Sequence, residues 1–162
     1  MLLGALFKSI GAPMVPLFEM NEAKRAYMGK DLNDWAQYWG APFTFPKDFP
    51  LNTVTALRLA IIDPSLTMPL YRAAWGEGLN LGDPDVLSQL LKSRDLDVNG
   101  MLAETKDVVI KSTLRDNTSA AEAQGAFGAP SFVLHRPQET AQLFWGQDRL
   151  ELLCEAICGS PR

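Results

Sequence analysis

The stretch Gly125-Ala-Phe-Gly-Ala-Pro-Ser-Phe-Val-Leu-His135 decides how the rest of the chain is read. Gly125, Gly128 and Pro130 form a turn-rich lead into Ser131–His135, a β-branched and aromatic run that predicts a strand. After Arg136-Pro137-Gln138-Glu139, the run Thr140–Trp145 predicts a second strand, and the polar residues between the two suit an antiparallel hairpin. Gly146-Gln147-Asp148 then opens a helix whose Leu150, Leu153, Cys154 and Ile157 recur at i, i+3, i+4, i+7.

Strand, hairpin, strand, helix is the order of the closing half of a thioredoxin-like domain. Pro130 has two readings. A trans proline would end the preceding helix and begin a strand at the one position where its missing N–H does no harm. A cis bond would turn the backbone so that Ala129 offers its N–H and C=O to an extended ligand. Thioredoxin-like folds place a cis proline at this junction, so the Ala129–Pro130 bond is expected to be cis.

Working outward, 162 residues suffice for a compact core, and 47% hydrophobic against 21% charged content reads as a globular chain. A net charge of −4 with scattered Lys and Arg gives no surface for nucleic acid or an anionic membrane. The longest apolar runs fall far short of the ~20 residues of a transmembrane helix, Met1–Lys8 lacks the charged start of a secretory signal, and a cytoplasmic setting is expected. Cys154 and Cys158 are four apart on the apolar side of the last helix, which predicts buried thiols. No metal site is expected, because His135 is the sole histidine and sits at a strand end. No Cys-x-x-Cys occurs, which excludes the disulfide-oxidase chemistry that needs the pair.

Met1–Lys8 is apolar and short, and 11–16 is loop. Asn21 is the expected N-cap of a helix reaching Trp39, with Met28, Leu32, Trp35 and Trp39 on one face. Gly40 stops it, and the prolines of 42–50 forbid a helix interior. Helices follow over 52–62, with Val54, Leu57 and Ile61 inward, then over 66–75, 83–92, 97–105 and 107–124. Asp83-Pro84 supplies one of their starts as a cap followed by a first-turn proline. Periodicity thus predicts a helical middle and a β–β–α end.

Gly125-Ala-Phe-Gly-Ala-Pro-Ser-Phe-Val133 together with Leu143-Phe-Trp-Gly-Gln-Asp-Arg-Leu-Glu-Leu-Leu153 resembles the kappa-class glutathione transferases and the bacterial 2-hydroxychromene-2-carboxylate isomerases. The resemblance extends through Leu2–Lys8, Ala23–Met28 and Pro42–Pro50. It implies an α/β fold in which residues 1–19 and 126–162 form a thioredoxin-like domain and residues 20–125 a large all-helical insertion. Met1–Lys8 would then be the tail of that domain's second strand. Such proteins begin with a strand–helix–strand unit carrying a serine in Ser-Pro-Tyr. That motif is absent here, so an incomplete thioredoxin-like domain, poorly soluble or oligomeric and without a catalytic residue, is expected.

The resemblance also implies glutathione as cofactor, a small aromatic substrate and a homodimer. In such enzymes the thiolate of glutathione, stabilised by a serine hydroxyl and a helix N-terminus, adds to an electrophilic carbon. Phe144-Trp-Gly-Gln-Asp-Arg149 favours the isomerase over the transferase, and a non-catalytic glutathione-binding or dimerising protein is the rival class. Gln147 and Asp148 would hold the γ-glutamyl end, Ala129 and Pro130 the cysteinyl part, and Lys24 the glycyl carboxylate. Bland readings stand beside these. Asp148 serves equally as a helix cap, and Lys24 with Arg25 as solvated surface charge. Asn52 either starts a helix or contacts an aromatic substrate. Trp39, Phe43, Phe45, Trp75 and Trp145 are read as core before ligand wall.

Overall fold

A computed structural model describes residues 1–159. The chain divides into two compact units, Val15–Leu114 and a second made of Met1–Met14 with the residues from Arg115 onward. Residues 160–162 of the expected 126–162 segment lie outside the described residues.

The unit Val15–Leu114 is helical. Asn21 caps α2 (Glu22–Tyr38), its Oδ1 accepting the Lys24 N–H at 2.8 Å, and Gly40 closes the helix end at φ 59°. After the proline-rich loop come α3 (Val54–Ile62), a 3-10 turn (Pro64–Leu66) and α4 (Thr67–Tyr71). α5 (Pro84–Lys92) starts on Asp83, which accepts the Asp85 N–H, with Pro84 in the first turn as expected. α6 (Val98–Glu104) starts on Asp97, which accepts the Gly100 N–H.

These helices share one apolar core: Ala56 and Leu59 of α3, Leu66, Leu70, Ala73 and Ala74, Leu81, and Leu87 and Leu91 of α5. The inward side of α3 is therefore Ala56 and Leu59, and Val54, Leu57 and Ile61 are only half-buried. Only Thr55 and Arg58 interrupt the apolar run of α3, so its sequence carries too little contrast to set the phase.

The helix expected over 66–75 changes pitch. Past Tyr71 the turns widen over Arg72–Gly76, and Glu77 N–H reaches back five residues to Arg72 C=O at 2.9 Å.

In the other unit, Leu3–Ser9 is a helix, α1, which corrects the expected strand tail. Ala5, Leu3, Leu6 and Lys8 favour helix, and among the described residues the two strands pair only with each other. Leu6 is fully buried, and Leu2 N–H donates to Thr118 Oγ1 at 2.9 Å. α7 (Val108–Ala123) contributes residues to both units, and Asp107 Oδ1 accepts the Val109 N–H near its start.

β1 (Ser131–Leu134) and β2 (Gln142–Trp145) form the expected antiparallel hairpin, with Ser131 opposite Trp145 and Leu134 opposite Gln142. The strands stop short of His135 and Thr140. The connecting turn centres on Arg136–Glu139, held by an ion pair at 3.2 Å, and Pro137 has no N–H to extend the ladder.

α8 (Leu150–Cys158) packs against β1, turned differently from its apolar stripe. Leu153 and Ala156 are its half-buried residues, and Arg136 donates to the Ala156 carbonyl. At about 100° per residue, Cys154 and Cys158 point well away from that side. Both thiols are free and exposed, which corrects the reading as buried cysteines.

Candidate functional site

The site begins at the end of the hairpin. Gly146 follows β2 at φ 105°, a conformation that favours glycine, and its N–H donates to the Pro130 carbonyl at 3.0 Å. That one bond ties the segment before β1 to the turn after β2. The Ala129–Pro130 peptide bond is cis, as is Phe49–Pro50. Ala129 is exposed, and no hydrogen bond from another described residue engages its N–H or C=O. Ser131 Oγ donates to the Gly128 carbonyl at 2.7 Å and closes the loop on itself. That hydroxyl proton is committed to the backbone.

Gln147–Arg149 forms a 3-10 turn that runs into α8. Asp148 is exposed and makes no side-chain cap. Instead its carboxylate pairs with Arg149 Nη1 at 2.6 Å and folds back over Gly146, where a Cβ would collide with Oδ1. The capping alternative for Asp148 is thereby set aside in favour of a surface ion pair. Arg149 was not singled out from the sequence, although its place directly after an exposed Asp was the available signal.

An aromatic pair borders this edge. The rings of Phe127 and Trp145 are 5.0 Å apart, and the residues are 48% and 50% exposed. Trp145 is therefore not core. Neither are Trp39, at 72% exposure, and Phe45. Of the aromatics read as core, Phe43 and Trp75 are half-buried.

The unit Val15–Leu114 holds a different feature, an apolar cleft of about 560 Å³ lined by Met28, Leu32, Phe43, Phe45, Phe49 and Trp75, with Arg25 at its side. The helix end beside it supplies the ties. The last carbonyls of the helix have no helical partners, so the Trp75 carbonyl accepts the Thr44 N–H at 2.6 Å and the Gly76 carbonyl accepts the Thr44 hydroxyl at 3.1 Å. Thr44 is thus pinned between two rings. Phe43 stacks parallel to Trp75 at 6.5 Å, and Phe45 meets it edge-on at 5.9 Å. The Arg25 guanidinium donates to the Met20 carbonyl at 2.9 Å.

Among the expected site residues, Ala129, Pro130, Gln147 and Asp148 are brought to one end of the hairpin. Lys24 and Asn52 belong to the other unit. Lys24 is exposed in the first turn of α2 and makes no ion pair with a described residue. Asn52 is exposed ahead of α3, its Oδ1 accepting the Val54 N–H at 3.3 Å, and it is not among the residues lining the aromatic cleft. No group of three or more His, Cys, Asp or Glu among the described residues is placed to hold a metal ion. No helix among them is long and apolar enough to cross a membrane.

Residues 3–158 match the family described as the DSBA-like thioredoxin domain. The chain belongs to that family. Among its relatives, glutathione S-transferase kappa 2 of Caenorhabditis elegans is 33% identical, the match covering 86% of this chain and 70% of the relative. The 2-hydroxychromene-2-carboxylate isomerase of Sphingobium xenophagum is 28% identical over 78% of this chain and 64% of its own length. Human glutathione S-transferase kappa 1 is 27% identical, covering 83% and 66%. This DSBA-like chain thus spans about two thirds of the length of these relatives. A solved structure of a 2-hydroxychromene-2-carboxylate isomerase shares its fold, with a TM-score of 0.82 at 21% identity over 98% of this chain and 77% of that one. The family resemblance read from Gly125–Val133 and Leu143–Leu153 is confirmed by these matches.

Proposed function

We propose that this DSBA-like chain acts as a glutathione-dependent isomerase of the 2-hydroxychromene-2-carboxylate type on a small aromatic substrate. The observation that carries the reading is the hydrogen bond from Gly146 to Pro130, which places an unengaged Ala129 backbone and the Gln147-Asp148 turn on one edge. The donor set suits the ligand. A γ-glutamyl end bears a carboxylate and an ammonium on one carbon, matching backbone N–H groups at the start of a helical turn and the Asp148 carboxylate. The cysteinyl segment is a peptide, and Ala129 has one N–H and one C=O to exchange with it. Gly128, tucked against the Trp145 indole, keeps that segment free of a side chain.

Bound glutathione would supply a nucleophilic thiol. In this reading the chain orients it through Ala129 and Pro130 and holds its γ-glutamyl end at Gln147 and Asp148. No residue is assigned to stabilise the thiolate. The aromatic cleft of the helical unit, with flat rings and one cation, has the chemistry of a seat for an apolar ring. A kappa-class transferase is the second reading, favoured by the 33% identity to the nematode protein. Non-catalytic glutathione binding or dimerisation is the third.

The test is turnover by the full chain. Conversion of 2-hydroxychromene-2-carboxylate that requires glutathione supports the isomerase. Glutathione conjugation to an aryl halide without isomerisation moves the assignment to the transferase. Glutathione binding without either reaction leaves a binding protein.

A further inference from the structure

Trp145 is a large aromatic residue at a strand end, half exposed, and its partial burial gives no account of its place. Its neighbours do. Gly128 lies against the indole so closely that a Cβ there would come within 2.5 Å of Nε1 and 3.2 Å of Cε2. Gly128 is buried and is not among the positive-φ glycines, so the indole, and not the backbone conformation, demands glycine at this position. Phe127 meets the same indole with its ring tilted at 49°. On the far side of the loop Ser131 Oγ holds the Gly128 carbonyl, and the Gly146 N–H next to Trp145 holds the Pro130 carbonyl. Ala129 is thus the free apex of a loop fixed on both flanks, and Trp145 bears on the Gly128 side.

We propose that Trp145 is a positioning residue for ligand binding at Ala129, acting through Gly128. The inference rests on the glutathione reading above. Held against the indole, the loop keeps the Ala129 N–H and C=O in one orientation, so binding does not have to order them. Trp145 touches no ligand atom in this account. The occupant whose affinity it controls is the cysteinyl peptide segment.

The test is a double-mutant cycle on affinity, measured by calorimetry with the full chain. Trp145→Ala and Gly128→Ala should each weaken glutathione binding by about tenfold, within the range of contact couplings. The double variant should bind no worse than Trp145→Ala alone, because removing the indole vacates the space the new methyl would invade. Cysteinylglycine, which lacks the γ-glutamyl group, should lose affinity in the same proportion on Trp145→Ala and be indifferent to Asp148→Ala. A role in stability alone would move the melting temperature and leave the affinities of the folded variants alike. Should Trp145→Ala not fold, Trp145→Phe with and without Gly128→Ala runs the same cycle with a smaller ring. Wild-type affinity in Trp145→Ala, or additive losses in the double variant, overturns the positioning role. Failure of the wild-type chain to bind glutathione overturns the functional reading itself.

Discussion

At Asp148 the carboxylate already faces the Arg149 guanidinium, and a ligand ammonium must share or displace that pair. Asp148→Ala should weaken glutathione binding by about 1.5–3 kcal/mol, the usual worth of a hydrogen bond to a charged group. Arg149→Ala should move affinity the other way, by at most about 1 kcal/mol, since exposed ion pairs are weak. Calorimetry on the two variants separates the signs. Gly128 shows what was legible at this scale. Its sequence context announces a turn, but the side chain that requires glycine there lies seventeen residues downstream, and local sequence does not carry that contact. Asp148 was legible as an acid at a helix start, and Arg149 directly after it was the signal for the ion pair that the sequence reading passed over.

Elements whose start or stop is written in one residue were the most legible. Asn21, Asp83 and Asp97 each accept a backbone N–H of the helix they precede. Asn21→Ala should cost about 0.5–2 kcal/mol, seen as a lower midpoint in urea unfolding. Asp63 does similar work for the Pro64–Leu66 turn. Hydrogen bonds from Ser65, first its side chain and then its N–H, hold the Asp63 carboxyl below the ordinary carboxylate value. A carboxyl depressed on folding stabilises above its unfolded value, near pH 4, and that contribution is lost as pH falls through the lower folded value. Asp63→Asn should therefore flatten the acid limb of the melting curve and leave its neutral-pH dependence unchanged. α1 and the inward side of α8 were less legible. The short apolar run Met1–Lys8 fits helix or strand equally, and the side of a helix that turns inward is chosen by the neighbours it finds.

The whole molecule was legible through its β–β–α end, because Gly125–Val133 and Leu143–Leu153 together specify the hairpin, its flanking turns and the family. The helical middle was legible as helices and not as a packing scheme, and the aromatic cleft least of all. It depends on Thr44 reaching the unpaired carbonyls of Trp75 and Gly76 at the end of the helix. The helical unit should lose about 2–5 kcal/mol on Leu59→Ala, since Leu59 is fully buried in its core. That loss belongs to stability, and glutathione affinity at the hairpin edge should be unchanged while the chain remains folded. The central claim is that glutathione meets this chain at one edge formed by Ala129, Gln147 and Asp148. Backbone amide resonances followed while glutathione is titrated into the full chain test it most directly. Saturable shifts at Ala129, Gln147 and Asp148, moved to higher glutathione concentration by Asp148→Ala, are the predicted result. The absence of any shift, or shifts that leave those three amides still, would contradict it.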